Sequence, residues 1–265
     1  MAHLRILSGL ALLAFLSNSA PNAGAQELTV AAAADLRPAL EETASRFHAA
    51  SGAQVKLIYG SSGNFYQQIQ SGAPFDFFFS ANADYPKKLE SAGLTIPGTY
   101  YEYARGKIVL MVPAGSTLDL KGGLSVLLDP AVKKIAIADP AHAPYGQAAV
   151  AAMKAEKIYD QVSAKLVTGE NISQTASFVR SGAADVGIVA LSLALSAGPQ
   201  VRFTEIPAND YPPIQQACVI LRSSKNQDLA ARFEAYLRSE NVKKIFERFG
   251  FEVPTSATQN EKPGQ

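Results

Sequence analysis

Leu28-Thr29-Val30-Ala31-Ala32-Ala33-Ala34-Asp35-Leu36-Arg37-Pro38-Ala39-Leu40 is the stretch whose reading decides the fold. Its first six residues form a short apolar run, the pattern of a buried strand. From Leu36 the period changes: Leu36, Leu40, Ala44 and Phe47 recur at helical spacing, and Ser51-Gly52 supplies the stop. A strand that turns directly into a helix is half of a parallel crossover unit, and the chain repeats it. Residues 55–59 read as a strand, 62–70 as a helix and 75–80 as a buried strand, because Phe77-Phe78-Phe79 is too apolar for an exposed edge. Asp84 reads as a helix cap, with Pro86 in the first turn and Gly93 past the end, which places a helix at 85–92.

A second series opens at Lys107, with strands at 107–112, 134–138 and 186–190 and helices at 146–156 and 172–180. The apolar run 217–221 and helical patterns at 229–237 and 242–249 return to the first series. This alternation predicts an α/β protein with mostly parallel strands. The expected division is a first lobe made of 26–104 and 207–254 and a second of 105–206, with hinges near Ala104 and Ile206. The polar tail 255–265 is expected to be flexible.

Residues 1–25 read as a secretory signal peptide. Arg5 precedes an apolar run at 6–16 that is too short to span a bilayer, and Ala23 and Ala25 are the small residues a signal peptidase needs. Cleavage before Gln26 leaves 240 residues (265 minus 25), long for one core and comfortable for two lobes with a cleft between them. The only cysteine, Cys218, lies far from the signal and inside an apolar run, so it reads as a buried small hydrophobe and not as a lipid anchor or reactive thiol. No later run is long enough for a membrane helix, so a soluble periplasmic monomer is expected. The chain has 24 basic and 23 acidic residues; without Arg5 they balance at 23 each, which argues against a nucleic-acid partner.

Small and polar residues cluster where helices are expected to begin: Ala34-Asp35, Ser61-Ser62-Gly63-Asn64, Tyr145-Gly146-Gln147 and Glu170-Asn171-Ile172-Ser173. A helix start presents unpaired N–H groups and a partial positive charge, so several facing one cleft make an anion site without any basic residue. None of the four segments contains Lys or Arg. Each taken alone is ordinary capping; together they point to an anion selected by size and protonation state.

The chain resembles the periplasmic molybdate-binding proteins. The resemblance is carried by Leu28-Thr29-Val30-Ala31-Ala32-Ala33, Gly60-Ser61-Ser62-Gly63, Gly72-Ala73-Pro74-Phe75-Asp76, Phe79-Ser80-Ala81, Asp139-Pro140-x-His142-x-Pro144-x-Gly146 and Gly187-Ile188-Val189. It implies a two-lobed periplasmic binding protein of type II, with a mixed, mainly parallel sheet in each lobe and a ligand cleft between them. The implied function is capture of a tetrahedral oxyanion, molybdate or tungstate, for an inner-membrane ABC permease and its ATPase, with no enzymatic activity, no catalytic residue and no cofactor. The implied contacts are Asp35, the Ser62 hydroxyl with Ser61 beside it, and the backbone N–H groups of Tyr145 and Ile172. Ser62, Tyr145 and Ile172 would meet the oxygens of the oxyanion, which is the only metal-containing group expected.

Two positions depart from that pattern: Asp35 replaces a ligand-binding serine, and Ala190 replaces a tyrosine. A carboxylate about 4 Å from a dianion, at an effective dielectric near 20, costs roughly 8 kcal/mol. A charged hydrogen bond contributes only about 1.5 to 3 kcal/mol. Either the Asp35 side chain turns back to cap its own helix while its N–H serves the ligand, or it accepts a proton from the ligand, in which case phosphate or arsenate becomes the alternative anion. Pro38 in the first turn favours the cap. An exported hydrolase is the alternative of another class, but Gly60-Ser61-Ser62-Gly63-Asn64 misses the nucleophile-elbow pattern by its last glycine, and His48 and His142 are the only histidines outside the signal. A metal site at His142 lacks a neighbouring cysteine or histidine.

Overall fold

The computed structural model describes residues 27–254. The signal peptide at 1–25 and the tail at 255–265 lie outside the described residues. The opening unit is β1 (Glu27–Ala33), a short turn at Ala34–Leu36, α1 (Arg37–Ser51) and β2 (Gln54–Gly60). α1 buries Leu40, Thr43, Ala44 and Phe47 and stops at Gly52, whose φ of 71° is the left-handed end that the sequence signals. Then follow α2 (Ser62–Gln70), β3 (Phe77–Ser80), α3 (Asp84–Ser91) and β4 (Tyr101–Gly106). Asp84 is the first residue of α3 and not its cap; its N–H is held by Asn82 Oδ1, so the asparagine two residues earlier does the capping work.

The second lobe is built from β5 (Ile108–Pro113), β6 (Ile135–Ala138), α4 (Pro144–Ala155), the single turn α5 (Tyr159–Val162), β7 (Leu166–Gly169), α6 (Ile172–Arg180), β8 (Val186–Ala190), α7 (Leu191–Ala197) and β9 (Val201–Glu205). The chain returns through β10 (Ile214–Ile220), α8 (Gln227–Leu237) and α9 (Glu240–Arg248).

Two five-stranded sheets result, ordered β2-β1-β3-β10-β4 and β7-β6-β8-β5-β9. Both are mixed, but neither is mainly parallel: each has two parallel and two antiparallel pairings. The antiparallel half of each sheet comes from the strands that flank the crossings between lobes, β4 and β10 on one side and β5 and β9 on the other. The expected boundary at Ala104–Arg105 falls inside β4, whose ladder with β10 continues to Gly106, so the first crossing is at Lys107.

β3 divides the first lobe's core. Phe77 and Phe79 stack at 4.8 Å and receive the edge of Phe233 from α8, which also meets Phe47 of α1 at 5.0 Å. Phe78 points the other way, into a cluster with Phe65, Phe75, Leu89 and Val219. Successive side chains of a strand take opposite faces, so three phenylalanines in a row require helices on both sides of the sheet. Cys218 is buried in β10, as its apolar setting implies. No described helix is long and apolar enough to cross a membrane. Phe79→Ala removes the ring shared by Phe77, Tyr103 and Phe233, and the expected loss is about 3–5 kcal/mol, measured as a lower urea midpoint with an unchanged slope.

Candidate anion-binding site

In each lobe a parallel pair of strands ends level, Ala33 beside Gly60 and Ala138 beside Gly169. The helices that follow therefore begin side by side, the arrangement that puts ligand crevices beyond the carboxyl ends of α/β sheets. Hydrogen bonds draw the two lobes' helix starts into one seam. The Gly63 N–H donates to the His142 carbonyl at 2.9 Å, and the Ser173 hydroxyl donates to the Ala34 carbonyl at 2.9 Å. The Ser192 hydroxyl donates to the Asp35 carbonyl at 2.7 Å, and the Tyr145 hydroxyl donates to Asp35 Oδ2 at 2.9 Å. The structure thus brings Asp35, Ser61, Ser62, Tyr145 and Ile172 onto elements that meet at this seam, all of them buried.

The first N–H groups of a helix have no intrahelical acceptor. At α6, Asn171 Oδ1 takes those of Ser173 and Gln174, which leaves the Ile172 N–H for another acceptor. At α4, Pro144 has none and the N–H groups of Gly146 and Gln147 go to the Ala143 carbonyl, which leaves that of Tyr145. Ser62 Oγ accepts from the Ala81 N–H at 2.9 Å, so its own proton is available to a further acceptor. The buried Ser61 Oγ has no partner among the described residues. An open pocket of about 230 Å³ lies beside the seam, lined by Ala81, Asp84, Pro144 and Gln147 among others. None of the five expected residues lines it, although Ala81 is the hydrogen-bond partner of Ser62 and Pro144 precedes Tyr145.

Asp35 corrects the capping expectation. Its turn has no side-chain cap; Oδ2 instead accepts from Tyr145 across the seam and from Gln216 Nε2 at 2.7 Å, while Oδ1 has no partner among the described residues. The Tyr145 side chain is fixed by this bond and by burial. Arg37 is turned away, paired with Glu41 at 3.3 Å and lying over the Tyr59 ring at 4.1 Å. With no salt bridge to Asp35 among the described residues, burial dominates and pushes its pKa up to about 6, against the hydrogen bonds from Gln216 and Tyr145 and the weaker pull of the turn's own Asp35 and Leu36 N–H groups. Burial likewise holds the Tyr145 and Tyr103 hydroxyls far above the ordinary range, so both stay protonated.

Gln216 and Tyr103 are the members that sequence reasoning missed. Tyr103 of β4 donates to Gln216 Oε1 at 2.8 Å, and Gln216 Nε2 also reaches Tyr145 Oη at 3.0 Å. The available signal was the position of Gln216 in β10: alternation turns Gln215 outward and Gln216 inward, and an inward amide needs partners. Gly106 completes the arrangement, since a Cβ there would collide with Tyr145 Oη and come within 2.7 Å of Gln216 Nε2. Of the histidines, His48 is exposed, with its ring held to the Ala53 carbonyl at 3.1 Å, and His142 meets the start of α2 through its main-chain carbonyl. No cluster of three His, Cys, Asp or Glu side chains that could hold a metal ion occurs among the described residues.

Two sheets, a seam of helix starts and a double crossing define a two-lobed binding protein. Residues 28–252 match the family of bacterial extracellular solute-binding proteins, and the chain belongs to that family. Among its relatives, the molybdate-binding protein ModA of Rhodobacter capsulatus is 35% identical, over 92% of this chain and 95% of its own. The protein of the same name from Azotobacter vinelandii is 36% identical, over 86% and 91%. The solved structure of the periplasmic molybdate-binding protein of Azotobacter vinelandii superimposes with a TM-score of 0.81 at 34% identity, covering 86% of this chain and 100% of that one.

The buried carboxyl has a measurable signature in stability. Folding raises the Asp35 pKa from 3.8 to about 6, so the protein is stabilised fully below the lower value and the stabilisation is lost as pH rises through the higher one. Relative to Asp35→Asn, the native chain is expected to lose about 2–3 kcal/mol of stability between pH 4 and pH 7, read from parallel urea titrations of the two anion-free proteins.

Proposed function

We propose that this protein is a periplasmic solute-binding protein that captures molybdate, or the similar anion tungstate, and delivers it to an inner-membrane ABC permease and its ATPase. Two relatives of 35% and 36% identity carry the molybdate-binding name. The observation that carries the reading for this chain is the meeting of the starts of α2, α4 and α6 around the Asp35 turn, without Lys or Arg among the four segments. In this reading the anion's oxygens are held by the Ser62 hydroxyl, by the N–H groups of Asp35, Tyr145 and Ile172, and by the Ser61 hydroxyl. These groups meet oxygen atoms and coordinate no metal. Each helix end contributes about 0.3–1 kcal/mol toward an anion when exposed and up to about 2 kcal/mol when partly buried.

The lobes turn about the two crossings, at Lys107 and between Glu205 and Ile214, and the protein binds and releases its ligand without transforming it. Fixed N–H groups select by radius, because a site of rigid backbone does not shrink around a smaller ion. The test is calorimetric titration of anion-stripped protein with molybdate, tungstate, sulfate, phosphate and arsenate. Molybdate and tungstate are expected to bind most tightly; a preference for phosphate or arsenate would replace this reading with that of a carrier for a protonated anion. Ser62→Ala is expected to weaken molybdate binding by about 1.5–3 kcal/mol, the contribution of one charged hydrogen bond, and to lower the unfolding midpoint as well, because the buried Ala81 N–H loses its acceptor.

A further inference from the structure

The fully buried Asp35 carboxyl has no counter-ion among the described residues and one oxygen, Oδ1, without a hydrogen bond. It sits on the turn that the proposed site shares with both lobes. The groups facing it come from every element packed around that turn. α4 brings Tyr145 and β4 brings Tyr103 behind Gln216 of β10; α6 and α7 bring only Ser173 and Ser192, which bond main-chain carbonyls of the turn. On α1, Arg37 is engaged by Glu41 and Tyr59. Nothing on these elements neutralises a carboxylate, and both tyrosines stay protonated.

A dianion entering among these helix starts would face that carboxylate, and the repulsion reckoned from the sequence far exceeds what a hydrogen bond returns. A proton resolves the conflict at small cost: with a pKa of about 6, keeping the group neutral at pH 7 costs a factor of about ten. We propose that Asp35 takes up a proton from solution as the anion binds and becomes a hydrogen-bond donor to it, so that capture is coupled to one proton. Oδ2 is already committed as acceptor to Tyr145 and Gln216, which leaves Oδ1 to carry the proton and turn it toward an anion oxygen. The O–H bond forms at Oδ1 from a solvent proton, no bond to the anion's central atom changes, and release of the anion returns the proton.

This inference rests on the oxyanion reading of the site, and one experiment separates the two. Molybdate is titrated calorimetrically into anion-stripped native protein at pH 7 and at pH 8, each in two buffers of different ionisation enthalpy, with Asp35→Asn alongside. The native protein is expected to take up close to one proton per anion and to bind about tenfold more weakly at pH 8 than at pH 7. Asp35→Asn is expected to take up none, and to change affinity by less than about twofold over the same interval. Molybdate binding by the native protein without proton uptake overturns the inference and leaves the oxyanion reading intact. Equal uptake by native protein and Asp35→Asn also overturns it, because the proton then resides elsewhere. Absence of molybdate binding by the native protein overturns both.

Discussion

A helix satisfies its own backbone everywhere except at its ends, and this molecule is organised around where three of those ends are placed. The starts of α2, α4 and α6 and the turn after β1 meet at one seam because paired parallel strands end level in each lobe. The seam is fastened by bonds that use few charges: two serine hydroxyls on main-chain carbonyls, one backbone-to-backbone bond, and a buried carboxyl held by a tyrosine and a glutamine. The carboxyl is the exception to the neutral scheme. Its cost of burial is offset by neighbours that are all donors, and the phenols beside it stay protonated first through their own burial and then through the nearby Asp35 charge.

Several residues that carry the family resemblance are scaffolding for this seam and do not belong to it. Asp76 fastens β3 to β1 by accepting the Thr29 N–H at 2.8 Å and the Ser224 hydroxyl at 2.6 Å. Asp139 accepts the Ala141 N–H through its side chain and that of Ala143 through its carbonyl, shaping the loop that delivers Tyr145 to the start of α4. Such residues set where the N–H groups point, so their chemistry is exerted at one remove.

The elements legible in the sequence were those whose burial is uniform or whose period is helical. α2, α6 and β8 fall on the expected residues, and the central strands β1, β3, β6 and β10 announce themselves as apolar runs. The three strands that sequence reasoning passed over, β4, β7 and β9, all lie at sheet edges. Edge strands carry residues such as Glu102, Arg105, Arg202 and Glu205, and a short alternation of this kind is hard to tell from a loop. α7 was hidden for the opposite reason, being apolar and joined to β8 without a polar break. At the site, the helix starts were legible one by one. The buried bonds of Asp35 were not, because Tyr145 and Gln216 lie 110 and 181 residues away in sequence.

The bond between the Gly63 N–H and the His142 carbonyl has no side chain in it, and a Cβ on Gly63 would come within 2.6 Å of that carbonyl oxygen. Main chain rests on main chain, so the two halves of the clamp reach a hard stop at this point. At this one contact the spacing is set by peptide geometry. A tighter grip would require moving α2 or the loop before α4 as whole bodies, and no change of rotamer can provide it. In this respect the contact works like a machined end-stop: how near the start of α2 comes to the loop before α4 is fixed by where main chain meets main chain.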